Sequence, residues 1–214
     1  METWLFPEFF GQVRDLQSSP VASWLERQGI PCALTIEAIG GVGRSVAEFS
    51  TGDGVGIWQP SEGAGVPVLV FAEWSGPLPP FDPTFPPQQR MMPRLLDTVC
   101  WDKSGDVYFS RTGATSVLGE WLIAEALDQG SPLRVFSDPV SWLRGCVRVP
   151  FGRWERALPS GVIVLDWRHA WENLGGVSEL IADSLELGEQ LDRRIRPPRR
   201  RRPKVLVDSR AVAA

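Results

Sequence analysis

The sequence predicts an α+β protein: an N-terminal helix and an antiparallel β-meander, followed by an α/β sheet in which strands and helices alternate. Three observations predict it. Residues 32–74 break into short β-rich runs separated by glycine clusters, the pattern of successive hairpins. Residues 94–192 alternate apolar runs with helical patterns, which implies a partly parallel sheet covered on both faces. Between them lies Gly-Pro-Leu-Pro-Pro-Phe-Asp-Pro-Thr-Phe-Pro-Pro, residues 76–87, a composition that builds neither element. The expected organisation is a helix-plus-meander lobe over 1–75, a proline-rich connector over 76–93, an α/β lobe over 94–192, and a basic tail with an edge strand over 193–214.

Taken in order, residues 2–29 form two helical pieces. The second starts at Pro20, which suits a first helical turn, and stops at Gly29, a C-cap residue. No basic recognition face follows, so a DNA-reading helix pair is not expected. The strands of the meander are 34–39, 45–49, 55–58 and 66–73, divided by Gly40-Gly41-Val42-Gly43, Thr51-Gly52-Asp53-Gly54 and Ser61-Glu62-Gly63-Ala64-Gly65. Residues 95–101 and 106–110 form a hairpin. A helix over 118–129 stops at Gly130, a strand covers 133–136, and Ser137-Asp138-Pro139 opens a short helix. The fully apolar run 161–165 is a strand ending at Asp166, with a short helix after it to Leu174. Residues 179–182 form a further strand, Asp183 or Ser184 caps a helix over 185–195, and 205–207 returns as an edge strand.

Composition narrows the function. The chain has 214 residues, 43% hydrophobic and 22% charged, enough for one domain or a domain with a small lobe. No stretch reaches the roughly 20 apolar residues of a membrane span, and Met1 to Phe10 lacks a basic start, so a cytoplasmic protein without membrane contact is expected. Cys32, Cys100 and Cys146 lie far apart with no paired spacing, which argues against disulfides or a zinc ribbon. His169 is the single histidine, so no metal site and no cofactor are expected.

Charge is divided unevenly. Arg193, Arg194, Arg196, Arg199, Arg200, Arg201, Arg202, Lys204 and Arg210 face only Asp208 in the last 22 residues, so this segment carries +8 and the body −12. One reading makes the run from Arg196 to Lys204 a phosphate-binding arm for DNA or RNA. Its prolines keep it out of a helix, and its binding falls steeply with salt. The other reading lays it on its own acidic body or on an acidic protein partner. The ten tryptophans are large core anchors on one reading and exposed platforms for bases or a partner on another.

Catalytic motifs are incomplete. Ala38-Ile39-Gly40-Gly41-Val42-Gly43-Arg44-Ser45 resembles a phosphate loop but has Ala38 where glycine is needed and Arg44 in place of lysine, and strand follows it rather than helix. A hairpin turn is the simpler account. Asp166 ends an apolar strand, where ligands of α/β sheets sit, and His169 follows three residues on. With Glu73, at the end of another apolar run, they are the candidate catalytic residues, as an acid/base pair or a metal site. The competing account has Asp166 cap the next helix and His169 lie on the surface. Cys100 and Cys146 read as core thiols.

The segments Arg111-Thr112-Gly113-Ala114, Val117-Leu118-Gly119, Asp138-Pro139-Val140-Ser141-Trp142-Leu143-Arg144 and Gly161-Val162-Ile163-Val164-Leu165-Asp166-Trp167 resemble uncharacterised proteins encoded in proteobacterial prophages and mobile elements, often beside replication functions. The resemblance covers residues 95–195. It implies an accessory role in a mobile element, with no activity and no functional residue to carry over. The combined expectation is a non-enzymatic accessory protein that contacts nucleic acid or a replication protein through its basic tail. The alternative is a small hydrolase or nucleotide-processing enzyme with its site near Asp166.

Overall fold

Helices α1 (Leu5–Gln17) and α2 (Pro20–Arg27) open the chain. The second ends where Gly29 takes φ 77° and Ile30 donates its N–H to Leu25, which satisfies carbonyls left over by the last turn. The computed structural model describes residues 4–17, 20–30, 42–50, 55–76, 93–102, 107–151, 154–195 and 204–207, and they form an α+β fold.

Strands β1 (Val42–Ser50), β2 (Gly56–Pro60), β3 (Val66–Trp74), β4 (Leu95–Asp102) and β5 (Val107–Ser110) close into a barrel in the order β1-β2-β5-β4-β3. Every pair is antiparallel except β2 with β5, which run parallel. Alternation along β3 explains its unbroken apolar sequence. Val68, Val70, Ala72 and Trp74 join Phe9, Trp58, Cys100 and Phe109 in one core, while Leu69 and Phe71 turn the other way into a second.

Two expectations are corrected here. The first three strands do not lie in meander order, because β3 pairs with β1 rather than β2. The hairpin β4–β5, expected in the α/β lobe from residue 94, belongs to the barrel, which therefore draws strands from both sides of residues 76–93. The physical reason is closure: pairing β2 with β5 removes two edges that a meander would leave open. The expected strand over 34–39 and nearly all of the proline-rich connector lie outside the described residues.

The second half contains β6 (Val117–Leu118), α3 (Trp121–Gln129), β7 (Leu133–Phe136), α4 (Pro139–Arg144), the hairpin β8 (Val147–Phe151) and β9 (Trp154–Leu158), β10 (Gly161–Val164), α5 (Ala170–Leu174), β11 (Glu179–Ala182), α6 (Leu185–Arg194) and β12 (Lys204–Val207). Its main sheet runs β12-β11-β7-β10-β6, with the first four strands parallel and β6 antiparallel at one edge. The helix expected from residue 118 starts at Trp121 because Val117 and Leu118 pair with β10 and Gly119 turns at φ 84°. Gly161 is required for a different reason. A Cβ there would stand 2.3 Å from the Arg134 carbonyl oxygen on β7.

The packing is layered. Val42, Leu69, Phe71, Val99 and Trp101 of the barrel meet Leu118, Phe136, Trp142 and Ile163 of the second half. A separate core gathers Val135, Val162, Val164 and Leu180 with Ile123 of α3 and Leu187 and Leu191 of α6. The indole N–H of the buried Trp142 donates to the Gly161 carbonyl at 2.7 Å. Trp58, Trp74 and Trp101 are also buried, whereas Trp4 is 40% exposed.

Candidate functional site

The parallel strands β7, β10 and β11 end together, and the chain leaves β7 toward β10 but leaves β11 toward β12. Such a divergence opens a crevice beyond the carboxyl ends of the strands, the usual ligand position in an open α/β sheet. Here a cavity of about 520 Å³ lies at those ends, walled by Phe136, Ser137, Trp167 and Ser184 from the sheet side and Tyr108 and Phe109 from β5.

Two turns shape it. Asp138 caps α4, with one carboxylate oxygen accepting the N–H groups of Val140 and Ser141 and the other the Ser141 hydroxyl. Ser184 caps α6 by accepting the Leu187 N–H, which selects it over Asp183. Asp183 instead ties the two strand ends together: its Oδ2 accepts both the N–H and the hydroxyl of Ser137 at 3.0 Å. Its Oδ1 is buried with no hydrogen-bond partner, and burial, opposed by the Ser137 hydrogen bonds, raises its pKa.

Asp166 and His169 do come together, His169 Nδ1 lying 3.1 Å from Asp166 Oδ2. The carboxylate is, however, already engaged. It accepts the backbone N–H of Arg168 at 2.9 Å and a two-pronged contact from the Arg168 guanidinium at 3.1 Å on each oxygen. Burial pushes its pKa up, but the Arg168 and His169 hydrogen bonds outweigh that and hold it at about 2. Asp166 therefore stays ionised at neutral pH and cannot serve as a general acid there. It organises the turn that precedes α5 rather than capping that helix.

Glu73 is elsewhere. It is 1% exposed and accepts the N–H groups of Gly119 at 2.6 Å and Glu120 at 3.0 Å, just past the end of β6. Asp166 lies at the opposite end of that strand, where its N–H meets the Ser116 carbonyl. The two carboxyls thus hold opposite ends of β6 and share no site. Burial pushes Glu73 up to about 8 against the pull of its two N–H donors.

Sequence reasoning sees Asp97 only as one of three acids, with Asp102 and Asp106, that crowd a hairpin without a lysine in nuclease-like spacing, and gives it no role. It is fully buried and accepts the N–H groups of Thr98, Arg111 and Thr112 together with the Ser110 hydroxyl. The available signal was an acid inside the apolar stretch from Leu95 to Trp101, since a buried acid needs several partners. Cys100 is a core thiol and Cys146 is half-buried against the core, and burial raises the pKa of both. Among the described residues no group of three or more His, Cys, Asp or Glu side chains could hold a metal ion, and no helix is long and apolar enough to cross a membrane.

Of the basic residues singled out, Arg193 and Arg194 are exposed on the last turn of α6, and Lys204 begins β12. Arg196, Arg199, Arg200, Arg201 and Arg202 lie outside the described residues, as does Arg210. The chain is nonetheless held on both sides of them: Ile195 is 4% exposed, and β12 pairs in parallel with β11 from Glu179–Lys204 to Ala182–Val207. The crevice itself offers the hydroxyls of Tyr108, Ser137 and Ser184, the amide of Gln190, the carboxylate of Glu186 and aromatic faces. Comparison of the chain with protein-family models, with curated proteins and with solved structures finds no match.

Proposed function

We propose that the protein is a non-enzymatic accessory protein of a bacterial mobile element that contacts nucleic acid through the arginine run between α6 and β12. The observation that carries this reading is the pairing of β12 with β11. The run is not a loose end, because folded structure holds the chain before and after it. Five arginines fall within residues 196–203, flanked by Arg193, Arg194 and Lys204. Fixing both ends concentrates this charge at one place and lowers the ordering cost of binding a phosphate backbone. The body's charge of −12 repels the rest of a nucleic acid, so contact is confined to the run and is sequence-tolerant. A catalytic reading around Asp166 has less support, since Arg168 and His169 already occupy that carboxylate.

The test is a salt titration of binding to short single- and double-stranded DNA and RNA. It compares the full chain with a quadruple variant carrying Arg199→Ser, Arg200→Ser, Arg201→Ser and Arg202→Ser, which leaves β12 in place. The expected result is tight binding at low salt. In the variant the log–log salt slope shrinks by about 0.9 for each duplex phosphate that is no longer neutralised. Equal binding by both proteins, or none by either, overturns the reading.

A further inference from the structure

The crevice beyond the carboxyl ends of β7, β10 and β11 carries an inference of its own, independent of the arginine run after α6. At about 520 Å³ it falls within the size range that holds one small ligand. Three of its lining side chains are left unused by the fold. Glu186 and Gln190 stand one turn apart on α6 and so share a face, and Trp167 follows β10. All three line the crevice. None of these side chains is hydrogen-bonded or ion-paired to a described residue.

Charge limits what the crevice can hold. Among the described residues Glu186 is its one charged lining group, and no lysine, arginine or histidine lines it. Two further acids back it: the Ser137 hydroxyl lies 3.0 Å from Asp183 Oδ2 and 3.4 Å from Asp138 Oδ2. Arg168, the residue after Trp167, is matched by the Asp166 carboxylate. The N-terminus of α6 would ordinarily favour an anion. Here Ser184 takes the Leu187 N–H and Glu186 sits in the first turn, so that partial charge is answered within the helix. What remains is a negative local field on a body that already carries −12, which repels anions and concentrates cations.

The walls add a preference for a flat ring and for N–H donors. Trp167 is half-buried and lines the crevice together with the buried Phe136. An aromatic face attracts a cation and offers a ring a large contact area. The Ser137 hydroxyl gives its proton to Asp183, so toward a ligand it can only accept. The Gln190 amide carries a further acceptor oxygen.

We infer that this crevice binds a small aromatic amine in its protonated form, with the ammonium at Glu186, the ring against Trp167, and Gln190 accepting a further N–H. A carboxylate paired with an ammonium supplies a charge-assisted hydrogen bond. The aromatic wall rewards the same charge, which a neutral ring of equal size cannot use.

Titration calorimetry of the full chain tests it, at about 0.15 M salt so that the long-range pull of the acidic body is screened. Four probes separate the contributions: tryptamine as a ring-bearing cation, indole-3-ethanol as a ring without charge, ethylammonium as charge without a ring, and indole-3-acetate as a ring-bearing anion. The expected result is saturable binding of tryptamine with a Kd under about 1 mM, and binding of the other three weaker by about tenfold or more. Glu186→Gln, at an exposed position, weakens tryptamine by about tenfold and removes its advantage over indole-3-ethanol. In NMR spectra of the parent, the Trp167 indole N–H signal, identified by its loss in Trp167→Phe, shifts as tryptamine is added. No saturation by tryptamine at several millimolar overturns the inference. So does equal binding of any of the three controls, or a Trp167 signal that stays in place. Undiminished binding by Glu186→Gln also overturns it, because the amine would then sit elsewhere on the acidic body.

Discussion

Glu73 and Asp97 stand directly opposite each other on β3 and β4, two carboxyl groups with almost no exposure. Opposed acids on one sheet face repel when both are ionised. The structure separates their roles. Asp97 is wrapped by three backbone N–H groups and a hydroxyl. Glu73 has only two N–H donors, and burial first, then neighbouring charge including that of Asp97, pushes it up to about 8.

Glu73 therefore makes stability depend on pH. The folded protein keeps a proton on this carboxyl that the unfolded chain releases near the ordinary value of 4.5. Stability contributed by the neutral form is complete below about 4.5 and is lost as pH rises through about 8. Urea midpoints measured from pH 4.5 to 8.5 are expected to fall across that window. Glu73→Gln keeps an uncharged acceptor, so its midpoints change less over the same range. A parallel decline in both proteins would show that another group is responsible.

Asp97→Ala leaves the buried Thr98 N–H, the half-buried N–H groups of Arg111 and Thr112 and the Ser110 hydroxyl without their acceptor. The expected loss is about 3–5 kcal/mol, read as a lower urea midpoint at unchanged slope. Asp97→Asn, which retains one acceptor oxygen, loses less. A change under about 1 kcal/mol in the alanine variant would mean that the turn after β5 finds other partners.

Arg111 joins α1 to the barrel. Its guanidinium takes Glu8 with two nitrogens at 3.0 and 3.2 Å and lies 4.4 Å from the centre of the Trp4 ring. A double-mutant cycle with Glu8→Gln and Arg111→Met is expected to give a coupling of about 1 kcal/mol, since both groups are only partly exposed. Zero coupling would make the pair incidental.

Asp166 sets the acid limb. Its depressed pKa means that its stabilising contribution is present above the ordinary value of 3.8 and disappears as pH falls through about 2. Asp166→Asn is expected to be less stable at pH 7 and to show a shallower acid transition between pH 4 and 2. Carbon-detected NMR titration of the parent's aspartates checks the assignment directly: a group titrating near 4 at this position contradicts the Arg168 contact.

Buried thiols react slowly because the thiolate is the nucleophile. Burial pushes Cys146 up to about 12 and leaves Cys100 with no exposed surface. In a Cys32→Ser background, both are expected to react with a disulfide reagent roughly 100-fold more slowly in the native protein than in denaturant. Rapid native labelling of either would show that its packing opens readily.

Local pattern made much of the fold legible. Glycine clusters marked the ends of β2 and β3, but β1 begins at Val42, inside the Gly40–Gly43 cluster expected as a turn. Gly130 and Ser184 marked helix boundaries, and the apolar run from Gly161 placed a central parallel strand. What the pattern could not show is partnership. Hairpin spacing is the same whether β3 lies beside β1 or β2, and nothing near β2 announces a parallel neighbour some 50 residues on. The candidate site divides along the same line. The nearness of Asp166 and His169 follows from their spacing, but Arg168, which neutralises the site, sits between them and was passed over. The partner of Glu73 lies 46 residues away, beyond any short-range rule. Asp97 organises a turn more than a dozen residues downstream.

The barrel's last strand ends at Ser110, whereas its outer face is covered by Leu118, Phe136, Trp142 and Ile163. On a ribosome, the barrel can therefore close while Leu69, Phe71, Val99 and Trp101 are covered only in part, by Leu25 and Ile30 from the start of the chain. At ordinary elongation rates the roughly 50 residues that bring the last of these covers take about 3–10 s to emerge. During that interval the nascent chain displays an apolar surface that invites chaperones or a second nascent chain. Slow codons placed after residue 110 would lengthen that exposure and lower the yield of native protein, while the same codons placed after residue 163 would not.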